Sequence, residues 1–336
     1  LIAFCPVGQL LKRSSTTRLY ILPAIYHCQP RGWFLRLQAL HPLKPSTPMR
    51  KTFTGILVLL GLGLVAPAAH GQSAPPSVEA PLPFNTAPTA IAAYSFRFSA
   101  PDDFYLQTLR DRFGLEAIAA QEKTTLGKVK ALSLWVHNRL VHDGRISSVK
   151  TDPMEILDDA IRGKSVQCVE FGRVTAAVLT AMGMPARPLF LKAADAGQRG
   201  AAGGHVLTEV WLEEYQKWAV VDSQWDVLPM LNGAPLSAVE LQHALASRSA
   251  GLSGETSTDA KIKYYYRWLQ PYLYYFDTPL DNRYGVKTTA SSLMLMPIGA
   301  KKLTSFQRVK LSGMRYTTST AVFYPNPLET HQAQEQ

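Results

Sequence analysis

The apolar positions are most regular between residues 163 and 187, where they predict a buried helix that begins at a cysteine. Apolar or small side chains recur at three- and four-residue steps and cover most of the helix surface; they are Val169, Val174, Ala176, Ala177, Val178, Thr180, Met182 and Met184. Gly183 and Pro185 are typical of a helix end. We therefore expect Cys168 to lie at the N-terminus of a core helix.

Two segments further along the chain, residues 206–212 and 217–222, have the composition of β-strands. The polar run Glu-Glu-Tyr-Gln separates them and predicts a hairpin turn. A two-residue turn places His205 directly opposite Asp222, and a four-residue turn makes the two residues diagonal neighbours on one face. A three-residue turn would place them on opposite faces. An even turn therefore predicts contact between His205 and Asp222.

The rest of the pattern mixes helical and strand-like segments and predicts an α+β protein. Helices are predicted over residues 101–120, 124–141, 153–161 and 237–247, the last two after the capping residues Asp152 and Ser237. Strands are predicted over 94–98, 188–192 and several short runs between 291 and 324, including 320–324. Loops are predicted over 193–204 and 251–259, and a frayed tail over 325–336.

The N-terminal third differs in composition from the rest of the chain. Residues 49–71 have a basic start, a short apolar centre and small residues before Gly71, the pattern of a signal peptide. We expect residues 1–48 to be a non-native upstream extension, residues 72–93 a proline-rich and largely disordered linker, residues 94–286 the catalytic domain, and residues 287–330 a β-rich extension. The alternative for the first segments is an organelle transit peptide.

Charge excludes one class of partner. Residues 1–71 hold eight lysines and arginines and no acidic residue, so the rest of the chain has 27 basic and 25 acidic residues. No basic surface is left to predict nucleic-acid binding. The signal-peptide pattern predicts that the mature chain is exported, to the periplasm or the extracellular space. The apolar run at 56–65 is too short to span a bilayer comfortably, so no membrane span is expected in the mature chain.

Cysteine usage points to chemistry at one position. Cys5 and Cys28 precede the predicted cleavage site, which leaves Cys168 as the lone thiol of the mature chain. The free N–H groups and the dipole of a helix N-terminus favour a thiolate there, although a free cysteine is also a common core residue. Cys168, His205 and Asp222 together form the nucleophile, base and orienting carboxylate that acyl transfer needs.

Several stretches match one known pattern in order: 167–171, the helix through Met182 with its exit at 183–187, 204–206, 209–211 and 218–222. They resemble the transglutaminase-like superfamily, which has a papain-like core with cysteine, histidine and aspartate in that chain order. The resemblance covers roughly residues 126–226. Cross-linking transglutaminases usually carry tryptophan after the cysteine, where this chain has Val169, and we find no calcium-binding carboxylate cluster. This difference argues against protein cross-linking.

The resemblance implies N-terminal helices, with the nucleophile at a helix N-terminus, packed on an antiparallel β-sheet. It implies an exported, bacterial-type enzyme that acts on a peptide or protein, with the cell envelope as one source of substrate, and favours hydrolysis over transfer to an amine. We add Gln167 as an oxyanion donor, with loop stabilisation as the alternative, and Gln224 and Trp225 as substrate-binding residues, with packing as the alternative for Trp225. Glu170 and Arg173 are interpreted as structural.

Other patterns leave alternatives open. The aromatic segment 261–277 could line a cleft, but we favour a helix and a strand packed on the core with tyrosine hydroxyls at the surface. The glycine-rich segment 193–204 is interpreted as a mobile lid or as a plain loop. His137 and His142 are five residues apart and fall on different helix faces, so no metal site is expected, and no cofactor motif occurs. The rival functions are a non-catalytic peptide- or glycan-binding module and a structural envelope protein.

Overall fold

The computed structural model describes residues 80–88, 94–146, 149–288 and 290–332. The predicted upstream extension (1–48) and signal peptide (49–71) lie outside the described residues, as do parts of the predicted linker. All described residues belong to one compact unit. None of the described helices is both long enough and apolar enough to cross a bilayer.

Helices occupy both ends of the described chain. They are α1 (Phe104–Phe113), α2 (Leu115–Ala119), α3 (Thr125–His137), α4 (Pro153–Ile161), α5 (Cys168–Ala181), α6 (Ala238–Ala246), α7 (Ile262–Leu269), α8 (Thr320–Phe323) and α9 (Pro327–Gln332). The predicted helix over 101–120 is two helices, because Gly114 adopts φ +62° between them. Helix α4 has the predicted bounds, and the Asp152 side chain accepts a hydrogen bond from the Glu155 N–H at 3.0 Å.

The strands are short except at the centre. They are β1 (Arg97–Phe98), β2 (Ala186–Lys192), β3 (Gly204–Leu212), β4 (Lys217–Val221), β5 (Leu228–Leu231), β6 (Ala234–Pro235), β7 (Leu252–Glu255), β8 (Tyr275–Pro279), β9 (Asp281–Asn282), β10 (Ser292–Leu295), β11 (Ser305–Phe306), β12 (Val309–Lys310) and β13 (Met314–Thr317). Six of them form one sheet in the order β13-β10-β8-β2-β3-β4, antiparallel except for β10 and β13. The α+β class with helices on an antiparallel sheet is confirmed.

Alternation along the central strands divides the core between the two faces of this sheet. Val210 and Leu212 of β3 pack on one face with the helices α1, α3, α4 and α5. Leu207 and Trp211 of the same strand pack on the other face with α6, α7 and α8. Strand β3 is therefore buried on both sides along almost its whole length.

Helix α5 lies unusually close to β3. A Cβ atom at Gly172 would come within 2.9 Å of the Leu207 carbonyl oxygen, so only glycine permits this approach. At the next position the Thr208 hydroxyl donates to the Gly172 carbonyl oxygen at 2.9 Å. The contact fixes the helix that starts at Cys168 against the strand that starts next to His205.

A buried ion pair ties β2 to β3 beneath the second face. Arg187 and Glu209 are both fully buried, and Arg187 Nη2 donates to Glu209 Oε2 at 2.9 Å. The guanidinium also lies 4.3 Å from the ring centre of Trp218 and donates to the Phe323 carbonyl oxygen. The Tyr324 hydroxyl donates to Glu209 Oε1, and burial beside that carboxylate raises the pKa of Tyr324 well above its usual value. These contacts attach the C-terminal segment to the sheet.

Three sequence-based expectations are wrong. The predicted strand over 320–324 is helix α8, because Ser319 caps it by accepting from the Val322 N–H. The predicted polar loop over 251–259 contains strand β7, which pairs with β5 along four residues. The predicted frayed tail contains helix α9. Ser319 was a local indication of α8, whereas β7 depends on pairing with β5 across the intervening β6 and α6, which local composition could not show.

The described part of the predicted linker makes hydrogen bonds to distant parts of the chain. The Leu82 N–H donates to Gln242 Oε1 at 3.1 Å, and the Asn85 N–H donates to the Thr318 carbonyl oxygen at 2.8 Å. Residues 80–88 therefore contact α6 and the segment before α8. Likewise β10 and β13, on the far side of the predicted boundary at 286, extend the main sheet.

Breaking the buried ion pair should destabilise the fold strongly. We expect Glu209→Gln to lower the free energy of unfolding by about 3–5 kcal/mol, because it leaves the Arg187 charge buried without a counter-charge. In the matched control, Lys130→Ala removes the exposed pair with Glu255 and should cost less than about 1 kcal/mol. Urea unfolding of the two variants measures both values, and similar losses would contradict the role given to Arg187 and Glu209.

Candidate active site

Cys168 is the first residue of α5, as the sequence predicted. The helix start is held by Glu170, whose carboxylate accepts from the backbone N–H of Gln167 at 2.9 Å and of Lys150 at 3.0 Å. Arg173 Nη1 donates to the Lys150 carbonyl oxygen at 2.7 Å. Glu170 and Arg173 therefore anchor the preceding segment through its backbone. The half-buried Cys168 thiol faces a cleft.

The hairpin of β3 and β4 has the even register that the prediction required. Thr208 pairs with Val221 and Leu212 with Lys217, so four residues, Glu213–Gln216, form the turn. His205 and Asp222 are then diagonal neighbours on one face. His205 Nε2 lies 2.7 Å from Asp222 Oδ2, and both side chains are almost completely buried. Because Nε2 is engaged with the carboxylate, Nδ1 is the nitrogen left for Cys168.

The surroundings favour a charged imidazole at His205. Burial lowers the pKa of His205, but the negative charge and hydrogen bond of Asp222, with a hydrogen bond to Cys168, raise it to about 10. The sign means that the ring holds its proton across the neutral range. A protonated imidazole beside Cys168 is the partner that stabilises a thiolate.

Two residues of the aromatic segment complete the surroundings of His205 and Asp222. The Tyr265 hydroxyl donates to Asp222 Oδ2 at 3.0 Å, and the ring of Trp268 stands edge-on to His205 with ring centres 4.9 Å apart. Both belong to α7, three residues apart, and therefore lie on the same side of that helix.

The sequence analysis missed this role of Tyr265 and Trp268. The expected packing of segment 261–277 on the core is correct. The expected position of the tyrosine hydroxyls at the surface is wrong for Tyr265 and Tyr266, whose hydroxyls donate to Asp222 and to the Ser253 carbonyl oxygen. The three-residue spacing of Tyr265 and Trp268 was the available indication. It could not show that this side of α7 faces Asp222.

The other predicted site residues make contacts of their own, and of the three Gln167 also lines the cleft. The Gln167 side-chain amide donates to the Ile146 carbonyl oxygen, which matches its loop-stabilising alternative. The backbone N–H groups of Gln224 and Trp225 donate to Asp222 Oδ1 at 3.1 and 3.4 Å. The Trp225 ring packs against Trp268, with ring centres 4.9 Å apart. Neither Gln224 nor Trp225 lines the cleft that contains Cys168.

The cleft has a volume of about 760 Å³, within the usual range for ligand sites. Cys168 and His205 line it together with a buried ion pair between Lys192 and Asp277. Burial raises the pKa of Asp277 in spite of the adjacent lysine. The Lys192 ammonium lies 5.3 Å from the ring centre of Phe306, which also lines the cleft.

The segment predicted as a lid or plain loop contacts the rim of the cleft. The Ala193 N–H donates to the Gly203 carbonyl oxygen at 2.9 Å, closing the base of the loop. The Gln307 N–H donates to the Ala196 carbonyl oxygen at 2.8 Å, joining the loop to the turn between β11 and β12. The loop is thus tied to a second hairpin at the cleft.

The two histidines near the end of α3 have separate surroundings. His137 Nδ1 lies 2.9 Å from the Ser223 carbonyl oxygen, directly after Asp222. Burial lowers the pKa of His142, and the nearby charge of His205 lowers it further. Among the described residues, no group of three or more histidine, cysteine, aspartate or glutamate side chains is arranged to hold a metal ion.

One stretch of the chain matches a known protein family. Residues 115–223, about a third of the chain, match the model of the transglutaminase-like superfamily. That stretch includes Cys168, His205 and Asp222, and it is a transglutaminase-like core. A search of curated proteins gave no match.

Several solved structures show distant likeness. A candidate cysteine protease from Cytophaga hutchinsonii is 18% identical with a TM-score of 0.29, over 52% of this chain and 56% of its own. Red sea bream transglutaminase is 14% identical with a TM-score of 0.25, over 38% and 27%. LapG of Legionella pneumophila, treated with EGTA, is 15% identical with a TM-score of 0.28, over 47% and 81%. The match therefore covers about half of the length of the Cytophaga protein and about a quarter of the length of the sea bream transglutaminase.

The titration of His205 should depend on Asp222. We expect the His205 imidazole to titrate near pH 10 in the wild type. Asp222→Asn should lower the His205 pKa toward or below the usual 6.5, because burial still disfavours the charged ring and the negative charge that offset this effect is gone. NMR titration of the His205 Cε1–H signal measures the shift.

Asp226→Asn is the matched control for that titration. It removes the same charge from a neighbouring carboxylate that accepts from Ser257 and Thr256 instead of a histidine. His205 should titrate in this variant as in the wild type. Equal shifts in the two variants would refute the assignment of the effect to Asp222.

Tyr265 should contribute more to stability than its neighbour. Tyr265→Phe removes a donor from a buried carboxylate and should cost about 1.5–3 kcal/mol of unfolding free energy. Tyr266→Phe removes a 2.5 Å hydrogen bond to the neutral Ser253 carbonyl oxygen and should cost about 0.5–1.5 kcal/mol. Urea unfolding compares the pair, and a larger loss in Tyr266→Phe would be incompatible with a strong Tyr265–Asp222 bond.

Proposed function

We propose that this protein is a cysteine enzyme that cleaves an amide bond through Cys168, His205 and Asp222. One observation carries the proposal: the imidazole of His205 is held between Cys168 and the Asp222 carboxylate at the wall of a 760 Å³ cleft. This is the spatial order of nucleophile, proton carrier and orienting group in acyl transfer.

In the first half-reaction the Cys168 sulfur attacks the carbonyl carbon of the substrate amide. Because the resting site is a thiolate–imidazolium pair, the proton is already on His205, and His205 delivers it to the nitrogen of the leaving amine as the C–N bond breaks. The product is a thioester on Cys168 and a free amine. Asp222, fixed by Tyr265 and by two backbone N–H groups, keeps the imidazole oriented and balances its charge during the transfer.

The oxyanion formed during the attack needs a hydrogen-bond donor. Cys168 is the first residue of α5, so its own backbone N–H has no acceptor within the helix. We assign that N–H as the first donor. The Gln167 amide remains a weaker candidate because Ile146 already accepts from it.

In the second half-reaction His205 takes a proton from water, and the resulting hydroxide attacks the thioester carbonyl. The C–S bond breaks, the acid leaves, and Cys168 is again a thiolate beside the protonated His205. We favour water over an amine as the acceptor because Val169 stands where cross-linking transglutaminases usually carry tryptophan. A peptide or isopeptide amide is the substrate class that fits this assignment.

The pH dependence of thiol alkylation tests the proposal. In the full chain carrying Cys5→Ser and Cys28→Ser, iodoacetamide can label only Cys168. We expect fast labelling that persists well below the ordinary thiol pKa of about 8.5, because the protonated His205 stabilises the thiolate. His205→Ala should show the profile of an ordinary thiol.

His243→Ala is the matched control, since it removes an exposed histidine from α6. It should label like the parent protein, and Cys168→Ser should not label at all. An ordinary thiol profile in the parent would exclude the cysteine enzyme and favour a non-catalytic binding module on the same fold.

A further inference from the structure

The charged residues that line the cleft are unequally paired. Four cationic side chains line it, namely Arg173, Lys192, Arg283 and Lys310, but only two carboxylates do so, namely Asp277 and Asp281. Each carboxylate already has its own partner, because Asp277 pairs with Lys192 and Asp281 with Arg283. Among the described residues, Arg173 and Lys310 form no ion pair. The cleft therefore carries an excess of positive charge even without His205.

Arg173 is the better placed of these two cations. It follows Cys168 by five residues in α5, about 7.5 Å along the helix axis, and it lines the same cleft. Lys310 lies in the short exposed strand β12 at the rim. Five residues place the two side chains on different sides of α5, so Arg173 would contact a part of the substrate that lies further along the cleft from the amide attacked by Cys168.

The Arg173 guanidinium is held in place but not neutralised. Nη1 donates to the Lys150 carbonyl oxygen at 2.7 Å. Glu170 is occupied by the backbone N–H groups of Gln167 and Lys150 and forms no ion pair with Arg173. Burial lowers the pKa of Arg173, and the nearby charge of Glu170 offsets this only in part. A bound anion would offset the remaining cost of burying the cation.

We propose that the cleft selects amide substrates that carry a carboxylate further along the cleft from the scissile bond, and that Arg173 binds this carboxylate. The inference rests on the proposed function, since it names the substrate class of the same site. Nε and Nη2 of Arg173 remain for a two-point contact, the geometry in which arginine recognises carboxylates. The substrate class is therefore an acidic peptide, and Lys310 adds long-range attraction at the rim.

A pair of probes that differ in one charge tests the proposal. N-iodoacetyl glutaminamide and the α-amide of N-iodoacetyl glutamate have nearly the same size, and both alkylate thiols. In the full chain with Cys5→Ser and Cys28→Ser, we expect the glutamate probe to label Cys168 about three- to fivefold faster, after each rate is divided by that for glutathione. The preference should shrink as NaCl is raised from about 50 to about 500 mM.

Variants assign this preference to Arg173. In Arg173→Gln the ratio of the glutamate-probe rate to the glutamine-probe rate should fall to the small preference that the positive charge of His205 produces without Arg173. Arg173→Lys keeps the positive charge and should keep part of the wild-type preference. Arg112→Gln is the matched control, because it removes the same charge from an exposed arginine of α1 outside the cleft and should keep the wild-type ratio. Because Arg173→Gln also frees the Lys150 carbonyl oxygen, thermal unfolding must show that it is folded.

The outcomes separate this inference from the proposed function. Equal labelling by the two probes in the wild type, or a ratio that Arg173→Gln leaves unchanged, would overturn the acidic-substrate inference. Iodoacetamide is neutral, so its pH profile reports the thiolate–imidazolium pair whatever the ratio is. If Arg173→Gln fails to fold, two other measurements test the proposal. They are the glutamate-to-glutamine rate ratio in Arg173→Lys and the salt dependence of that ratio in the wild type. A wild-type ratio that does not change with salt refutes the proposal.

Discussion

The close contact between α5 and β3 is the constraint on which the site depends. Without a side chain at Gly172 the helix backbone approaches the Leu207 carbonyl, and the Thr208 hydroxyl joins the two backbones. Cys168 lies one turn before Gly172, and His205 lies three residues before Thr208. The same contact that closes the core therefore also sets the position of the thiol relative to the imidazole. A bulkier residue at 172 would move both at once.

The central strands also bury three charged pairs, and these differ in surroundings. Arg187 and Glu209 are enclosed by aromatic rings and by the C-terminal segment, so that pair joins parts of the fold. His205 with Asp222, and Lys192 with Asp277, lie where the sheet meets the cleft. Burial of charge is unfavourable unless a partner and further hydrogen bonds compensate it. Asp222 meets that condition with donors from β3, α7 and its own loop.

Some elements of the fold could be predicted from the sequence, and others could not. Strongly periodic or well-capped segments were predicted correctly: α5 begins at Cys168, and α4 has both of its predicted ends. Strand β7 was not, because it depends on pairing with β5 across β6 and α6, and helix α8 was not, because its strand-like composition outweighed the local indication of Ser319. Local composition reports the preference of a segment, and these segments have weak preferences that tertiary contacts override.

By itself, the sequence determined the chemistry of the site and the condition for assembling it. It supplied a thiol at a helix start, a histidine and an aspartate on one hairpin, and the requirement that the turn be even. Only the tertiary structure decided that the turn has four residues, that Tyr265 donates to Asp222, and that Arg173 faces the same cleft as Cys168. The physical reason is that periodicity and capping act within a few residues, whereas these contacts join segments whose relative position is set by packing of the whole core.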